Sequence, residues 1–448
     1  MSVHPPGSWP PARSALRSLI APLERFAALE AASAVLLVIA AATAMLWANS
    51  PWRDSYSDLL HLPIGARVGR IAFERDLAFW INDGLMAIFF FVVGLEIRRE
   101  LHHGVLSDVR RAALPLAAAL GGMIAPALLF AALNAGRPTA DGWGIPMATD
   151  IAFAVGVLTL VRPRGGSSLR VLLLALAVID DLGAILVIAL FYSSGIDFAG
   201  LTAMGVGVLL ILALRLCGVR AWPLFVAPAL VVWGGAYAGG LHPTLAGVLV
   251  AMLTPVRAWH PAEEFARKAL VQVEGLRSAQ GEDERWVHLE RLAGLSAESV
   301  APTERLLRRL LPWVNFFIMP AFALANAGVA LGSASFDGDG APVFAGVALG
   351  LVLGKLIGIV GFSWLAVRAG LAALPASVRW SGVAVVGSLG GIGFTMSLLI
   401  ANLALPHGPT LESAKLAILA ASLVAAGVAF LWSRAGSGRP EASVEVRT

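Results

Sequence analysis

The 448-residue chain is nearly free of cysteine, with Cys217 alone. That excludes an internal disulfide framework and argues against a metal site built on thiolates. Cys217 itself reads as a small apolar packer. Charge is scarce as well: 14% of residues are Asp, Glu, Lys or Arg, against 58% hydrophobic, and mean hydropathy is +0.79. A soluble domain of this length has no use for so much apolar surface. Long polar stretches are also lacking, because Arg257 to Arg309 is the only one inside the chain. The first 30 residues carry Arg13, Arg17, Arg25, Glu24 and Glu30 but no small-residue cleavage site. They read as a cytoplasmic arm leading into an uncleaved first span.

What is present is a repeated apolar segment of spanning length, about 20 residues for a helix. The expected spans are Ala31–Ala48, Ala78–Ile97, Ala112–Leu133, Ile145–Val161, the run from Val171 to Ser194, Ala199–Leu216 and Ala221–Gly239. After them come a short eighth from Leu241 to Pro255, a ninth from Leu310, Val343–Val367, a glycine-broken eleventh around Gly387, Gly390, Gly391 and Gly393, and Ala414–Trp432. The fold class expected is therefore an all-α polytopic membrane protein of about twelve transmembrane helices over 31–434. The segment 256–309 reads as an amphipathic, partly helical cytoplasmic loop on the membrane surface, and 435–448 as a cytoplasmic tail. A net charge of +4 and a pI near 9.7 would suggest nucleic acid in a soluble chain. Here the arginines fall in alternate loops, which is the signature of topology and puts both termini in the cytoplasm. The loop after the first span, with Arg53, Arg67, Arg70 and Arg75, is the exception.

Between Val171 and Ser194 the only charged side chains are Asp180 and Asp181. Asp180 lies roughly ten residues from Arg170, which at ~1.5 Å per residue places the pair near the membrane midplane. An ionisable group there costs at least a few kcal/mol, so its default reading is functional. Neighbours on a helix point ~100° apart, so one carboxylate can face an ion while the other takes a partner.

The fourth and eleventh segments are both interrupted, by Pro146 and Thr149-Asp150 in one and by glycines in the other. Seven spans apart, they run in opposite directions, the pattern of an inverted repeat with a midplane site. Each break leaves helix ends with partial charges, positive at N-termini and negative at C-termini. Asp150 can offset facing positive ends and Lys355, mid-span, facing negative ones. Carboxylates, a threonine oxygen and backbone carbonyls are hard ligands suited to Na+ or Li+. Burial disfavours the charged form of any carboxylate, so proton and cation can compete for the same oxygens.

The stretches Trp80–Leu101, Ile145–Leu160, Ala175–Tyr192, Leu241–Val250, Pro312–Val329 and Gly387–Ser397 resemble the NhaA-type sodium/proton antiporters of bacteria. The likeness covers nearly the whole chain, and its ATDIAFA and IDDLGAI motifs are highly specific. NhaA is itself a standard example of inverted-repeat architecture with crossing broken helices. The resemblance implies an electrogenic, pH-regulated exchange of cytoplasmic Na+ or Li+ for external protons, by alternating access, in the bacterial inner membrane. It implies no enzyme activity and no cofactor; the expected partners are Na+, Li+, H+ and the lipid bilayer, without nucleic acid, and with a homodimer left open. By resemblance Asp181 is the principal cation carboxylate, Asp180 its neighbour paired with Lys355, and Thr149 and Asp150 the residues at the helix crossing. Asp83 resembles the acid on the entry route, and Glu96, Arg99, Glu100 and His242 the pH-sensing groups. Before Pro312 the family has an acid and histidines where this chain reads Glu304-Arg305-Leu306-Leu307-Arg308-Arg309, so no pH set-point carries over.

Two other classes stand beside this one. An intramembrane aspartyl protease places its two carboxylates on separate helices, unlike a consecutive pair. A passive cation channel has no need of a midplane lysine. Asn82 and Asn326 read as helix-packing hydrogen bonders.

Overall fold

The computed structural model describes residues 30–68, 71–161, 166–193, 195–219, 221–332, 337–375 and 377–435. The expected arm and tail lie outside these residues, apart from Glu30 and Ala435, which end the first and last helices. Helix α1 is Glu30–Ala48, followed by a short α2, Arg53–Leu60. Next come α3 (Leu77–His103), α4 (Val109–Asn134), α5 (Ile151–Val161), α6 (Gly166–Phe191), α7 (Phe198–Leu216), α8 (Trp222–Ala238) and α9 (Thr244–Leu253). Helices α10 (Ala262–Ser278) and α11 (Glu282–Glu298) precede α12, a helical run over 302–326. The chain ends in α13 (Gly340–Arg368), α14 (Trp380–Gly390), α15 (Phe394–Ala404) and α16 (Pro409–Ala435). Among the described residues seven helices are long and apolar enough to cross a membrane, or nine if each of two bent pairs counts as one span. Helices α8 and α9 are shorter apolar helices. This is an all-α polytopic membrane protein.

Three segments add to or differ from the sequence expectation. The stretch after α1 contains an antiparallel hairpin, β1 (Pro63–Val68) with β2 (Ile71–Asp76), in which Pro63 faces Asp76 and Val68 faces Ile71. Its sequence alternates apolar and other residues at Ile64, Ala66, Val68, Ile71 and Phe73, a period of two that a helix cannot use. The hairpin is pinned to α8 by Arg75, whose Nη2 donates to the Tyr237 hydroxyl at 2.6 Å. Second, the helical parts of 256–309 are the first turns of α12 and two helices, α10 and α11, which pack on each other. His288 and Gln272 bond across them at 2.9 Å. Third, Cys217 is exposed at the end of α7, so it packs against nothing in the core.

Small residues set the helix spacing. A Cβ on Gly121 of α4 would stand 2.1 Å from the Gly358 carbonyl of α13, and one on Gly358 would stand 2.1 Å from the Gly121 carbonyl. Without a hydrophobic drive between helices in lipid, such close backbone approach supplies the packing. At the other end of the bundle Tyr56 donates to the Leu324 and Ala325 carbonyls, at 2.8 and 3.1 Å. Burial pushes its phenol up to about 12, so it stays a donor.

Three helices contain a π-helical turn: Trp80–Leu85 in α3, Val314–Ile318 in α12 and Gly350–Gly354 in α13. The second follows Pro312, which lacks the N–H of a regular ladder. The third immediately precedes Lys355. Gly350 and Gly354 there lie where a Cβ would come within 2.7 Å of Pro146 and Pro126. Gly358→Val should force α4 and α13 apart and cost about 1–3 kcal/mol or more by overpacking. A thermal unfolding series in detergent should show the loss, and should show much less for Gly361→Val, which has nothing within 4 Å.

Candidate functional site

Both interrupted segments are broken where the sequence expectation puts the breaks, at Thr149-Asp150 in one and at Gly391–Gly393 in the other. The fourth is a 3-10 stretch, Ala140–Met147, and then α5, bent by 41°; the eleventh is α14 and α15, bent by 45°. The two breaks touch. The Asp150 amide donates to the Ile392 carbonyl at 2.7 Å, and the Thr149 hydroxyl lies 2.9 Å from the Gly390 carbonyl. In return the Ser397 hydroxyl donates to the Ile145 carbonyl at 2.8 Å. Each break thus satisfies carbonyls that the other leaves without an intrahelical partner, as backbone at membrane depth requires.

Asp150 is fully buried and its two oxygens serve two helices. One accepts from the Phe153 amide in the first turn of α5 at 3.0 Å. The other accepts from the Thr395 amide at 3.2 Å in the first turn of α15, and from the Thr395 hydroxyl. One negative charge so caps two N-termini, where the helix dipoles favour it. The glycines of the eleventh segment act by allowing close approach. Gly391 and Gly393 have ordinary backbone angles, with φ of −73° and −84°. A Cβ on Gly391 would stand 2.4 Å from the Leu351 carbonyl, and one on Gly393 would stand 2.1 Å from the Ser397 hydroxyl. Gly387 and Gly390 lie within α14, against Leu356 and Ile359 of α13.

On α6 the two aspartates have different surroundings, as their separation around the helix requires. Asp180 and Asp181 are each 1% exposed and Lys355 is 0% exposed. Asp180 Oδ2 accepts from Lys355 Nζ at 2.5 Å and from the Thr149 hydroxyl at 2.6 Å. Lys355 also donates to Thr149 at 3.0 Å. The other oxygen, Asp180 Oδ1, and both oxygens of Asp181 have no hydrogen-bond partner among the described residues. Asp181 also feels the charges of Asp180, Glu96, Asp150 and Lys355. Unpaired carboxylate oxygens away from water are costly, and hard oxygen donors of this kind suit a small cation.

The remaining predicted residues form separate groups. Asp83 sits in the π-helical turn of α3, with the His242 Nε2 3.6 Å from its Oδ1 and its carbonyl held by the Trp233 indole at 3.0 Å. Glu100 accepts from the Val105 amide at 2.6 Å, closing the turn after α3. Arg99 points to Glu304 at 3.9 Å, and Glu96 is half-buried on the same helix. Thr395 and Ser397 fall in the Gly387–Ser397 stretch, whose sequence marks only its glycines. The signal for them was their place in the first turns after a glycine break, where a hydroxyl can reach orphan backbone groups. Asn82, Asn326 and Asn402 form a chain, with Asn326 donating to Asn82 at 2.8 Å and Asn402 donating to Asn326 at 2.7 Å.

Lys355→Met should strand a buried carboxylate and cost about 3–5 kcal/mol, as breaking a buried pair does. Lys355→Met with Asp180→Leu removes both charges and should recover most of that loss in thermal unfolding in detergent.

The family model described as Na+/H+ antiporter 1 matches residues 24–432. A Myxococcus xanthus protein named Na(+)/H(+) antiporter NhaA 2 is 50% identical over 452 residues, which is 99% of this chain and 96% of that protein. A Sorangium cellulosum protein of the same name is 52% identical, covering 96% of this chain and 93% of its own length. One from Pseudomonas putida is 47% identical, covering 94% and 95%. On a match that spans both broken helices and every residue of the buried site, this chain belongs to the Na+/H+ antiporter 1 family.

Proposed function

We propose that this chain is a secondary active transporter, not an enzyme, that exchanges cytoplasmic Na+ (and Li+) for external protons across the bacterial inner membrane. The observation that carries the reading is Asp181: a buried carboxylate with two unpaired oxygens, beside an ion-paired Asp180, where two broken helices meet. The relatives' names support the ions. Adding α8, α9 and α12 to the nine long or bent spans supports twelve, an even number that keeps both termini on one side, and the arginines of alternate loops favour the cytoplasmic side. The reciprocal hydrogen bonds between the two breaks support an inverted repeat with crossing helices around the site.

In this reading Asp181 and Asp180 Oδ1 offer the first oxygens to Na+, and Thr149 and Lys355 hold Asp180 in place. Asp150 keeps the two half-helices joined while the site changes sides. A site that crosses loaded with either proton or Na+, but not empty, gives exchange without any further device. Asp83 and His242 stand on the outer route, and Glu96, Arg99 and Glu100 at the cytoplasmic end of α3. When more than one proton enters for each Na+ that leaves, transport is electrogenic and an inside-negative potential speeds Na+ extrusion.

The direct test uses sealed vesicles with an acid interior. Added Na+ should raise the internal pH only where the protein is present, and equal responses with and without it would end the antiporter reading. In the same assay Asp181→Asn should abolish exchange while leaving thermal stability intact, since asparagine keeps the shape but cannot ionise. Near-normal turnover in that variant would move the primary site elsewhere. Direct competition also fixes a sign: protons vacate the carboxylates as pH rises, so the apparent Na+ affinity should increase with pH. An affinity independent of pH would rule competition out.

A further inference from the structure

The elements that carry the buried site also meet at a second place. The 3-10 stretch that leads to Thr149 and Asp150 begins with Asp141 and Trp143. Helix α6, with Asp180 and Asp181, runs on to Phe191, followed by Tyr192 and Ser193. Helix α15, with Thr395, ends at Leu403 and Ala404. These residues line one cavity of about 270 Å³. From Asp180 to Tyr192 the helix rises ~18 Å at ~1.5 Å per residue, so the cavity lies well away from the carboxylates. In the proposed orientation it is on the outer face.

The lining has a definite chemistry. Asp141 is exposed, and among the described residues no cation is paired with it, whereas its own carbonyl accepts from the Tyr192 hydroxyl at 2.6 Å. Trp143 and Phe191 pack edge to face, with ring centroids 5.1 Å apart. A carboxylate in a cavity that three aromatic residues also line suits a cation that sheds water easily. Organic ammonium ions bind to aromatic rings by their diffuse charge, and strongly hydrated Na+ gains far less there. The volume is below that of a drug-sized pocket, which limits the ligand to a small head group.

We propose that this cavity is a binding site for a small organic ammonium ion, held by Asp141 against Trp143, Phe191 and Tyr192, and that its occupation clamps the outer ends of the site-bearing elements and slows exchange. The clamp rests on the exchange reading; the binding does not. The same ammonium chemistry comes from a free amine or from the head group of an ethanolamine phospholipid.

The test uses the full chain, with choline as probe and 3,3-dimethylbutan-1-ol as its uncharged isostere. Ligand-observed NMR on the protein in nanodiscs made without ammonium lipids should show choline bound and the isostere not. Asp141→Asn should weaken choline binding at least about ten-fold, and Asp141→Glu should restore most of it. Equal binding of choline and isostere, unchanged binding in Asp141→Asn, or displacement of choline by Na+ at matched ionic strength as readily as by tetramethylammonium would each overturn the site. A lipid source predicts that ethanolamine phospholipid in the nanodisc weakens choline binding; a free amine predicts no change. In vesicles, external choline should slow Na+/H+ exchange by the unaltered protein and leave Asp141→Asn exchange at its basal rate. Binding without such slowing would overturn the clamp and leave the site. Absence of any exchange, with choline still bound, would count against the transporter reading instead.

Discussion

Backbone that leaves its helix inside a membrane must find every partner within the protein, and the arrangement here depends on Asp150 meeting that demand. Two broken segments put two helix N-termini and two sets of orphan carbonyls at one depth. Asp150 caps α5 through Phe153 and α15 through Thr395, while its amide takes the Ile392 carbonyl. Ser397 takes the Ile145 carbonyl in the same reciprocal manner, and the Thr149 hydroxyl, which donates to Asp180, lies 2.9 Å from the Gly390 carbonyl. A single carboxylate shared by two helix ends makes the two breaks one mechanical unit. Neither half-helix can shift alone without uncovering amides that lipid cannot solvate.

The position of Lys355 follows from packing rather than charge. Its helix widens in a π-helical turn just before it, and the glycines of that turn sit against Pro126 and Pro146, on α4 and the 3-10 stretch. One turn later Gly358 meets Gly121 backbone to backbone. Contacts on both sides thus hold the lysine stem in a fully buried place, and the ammonium reaches Asp180 and Thr149 together. A buried charge pair is seldom a net source of stability. A pair held so closely fits a part in the proposed exchange better than a part in folding.

Much of this was legible in the sequence because the membrane makes charge expensive. Two aspartates in an otherwise uncharged run, one lysine in another, and two apolar segments broken by Pro, Thr-Asp and Gly already marked the elements that meet. What the sequence hid were contacts between segments far apart in the chain. Thr395 and Ser397 look like ordinary hydroxyls until Asp150 and Ile145 are placed beside them. Glu100 looked like a member of a charged cluster, yet it closes its own turn at Val105. The hairpin at Pro63–Asp76 was lost in a stretch read for its arginines, although its alternation was there to count. The helical pair α10 and α11 is amphipathic in sequence whether its apolar faces meet lipid or each other, and composition cannot choose between these.

The asymmetry of Asp180 bears on how a cation and more than one proton could share the site. Lys355 and Thr149 both bond one oxygen, Oδ2, and leave Oδ1, like both oxygens of Asp181, without a partner among the described residues. A cation that takes Asp181 and Asp180 Oδ1 therefore need not break the Lys355 pair in order to bind. Its charge would still lie close to the ammonium, and in a dry site like charges at short range repel strongly. The lysine then has two ways to respond: it gives up its proton where it stands, or it withdraws from Asp180. Packing by Gly350, Gly354 and Gly358 restricts withdrawal. Under the proposed exchange, the geometry thus favours loss of a proton by Lys355 over its displacement, because the same contacts that deliver the ammonium to Asp180 leave it little room to retreat.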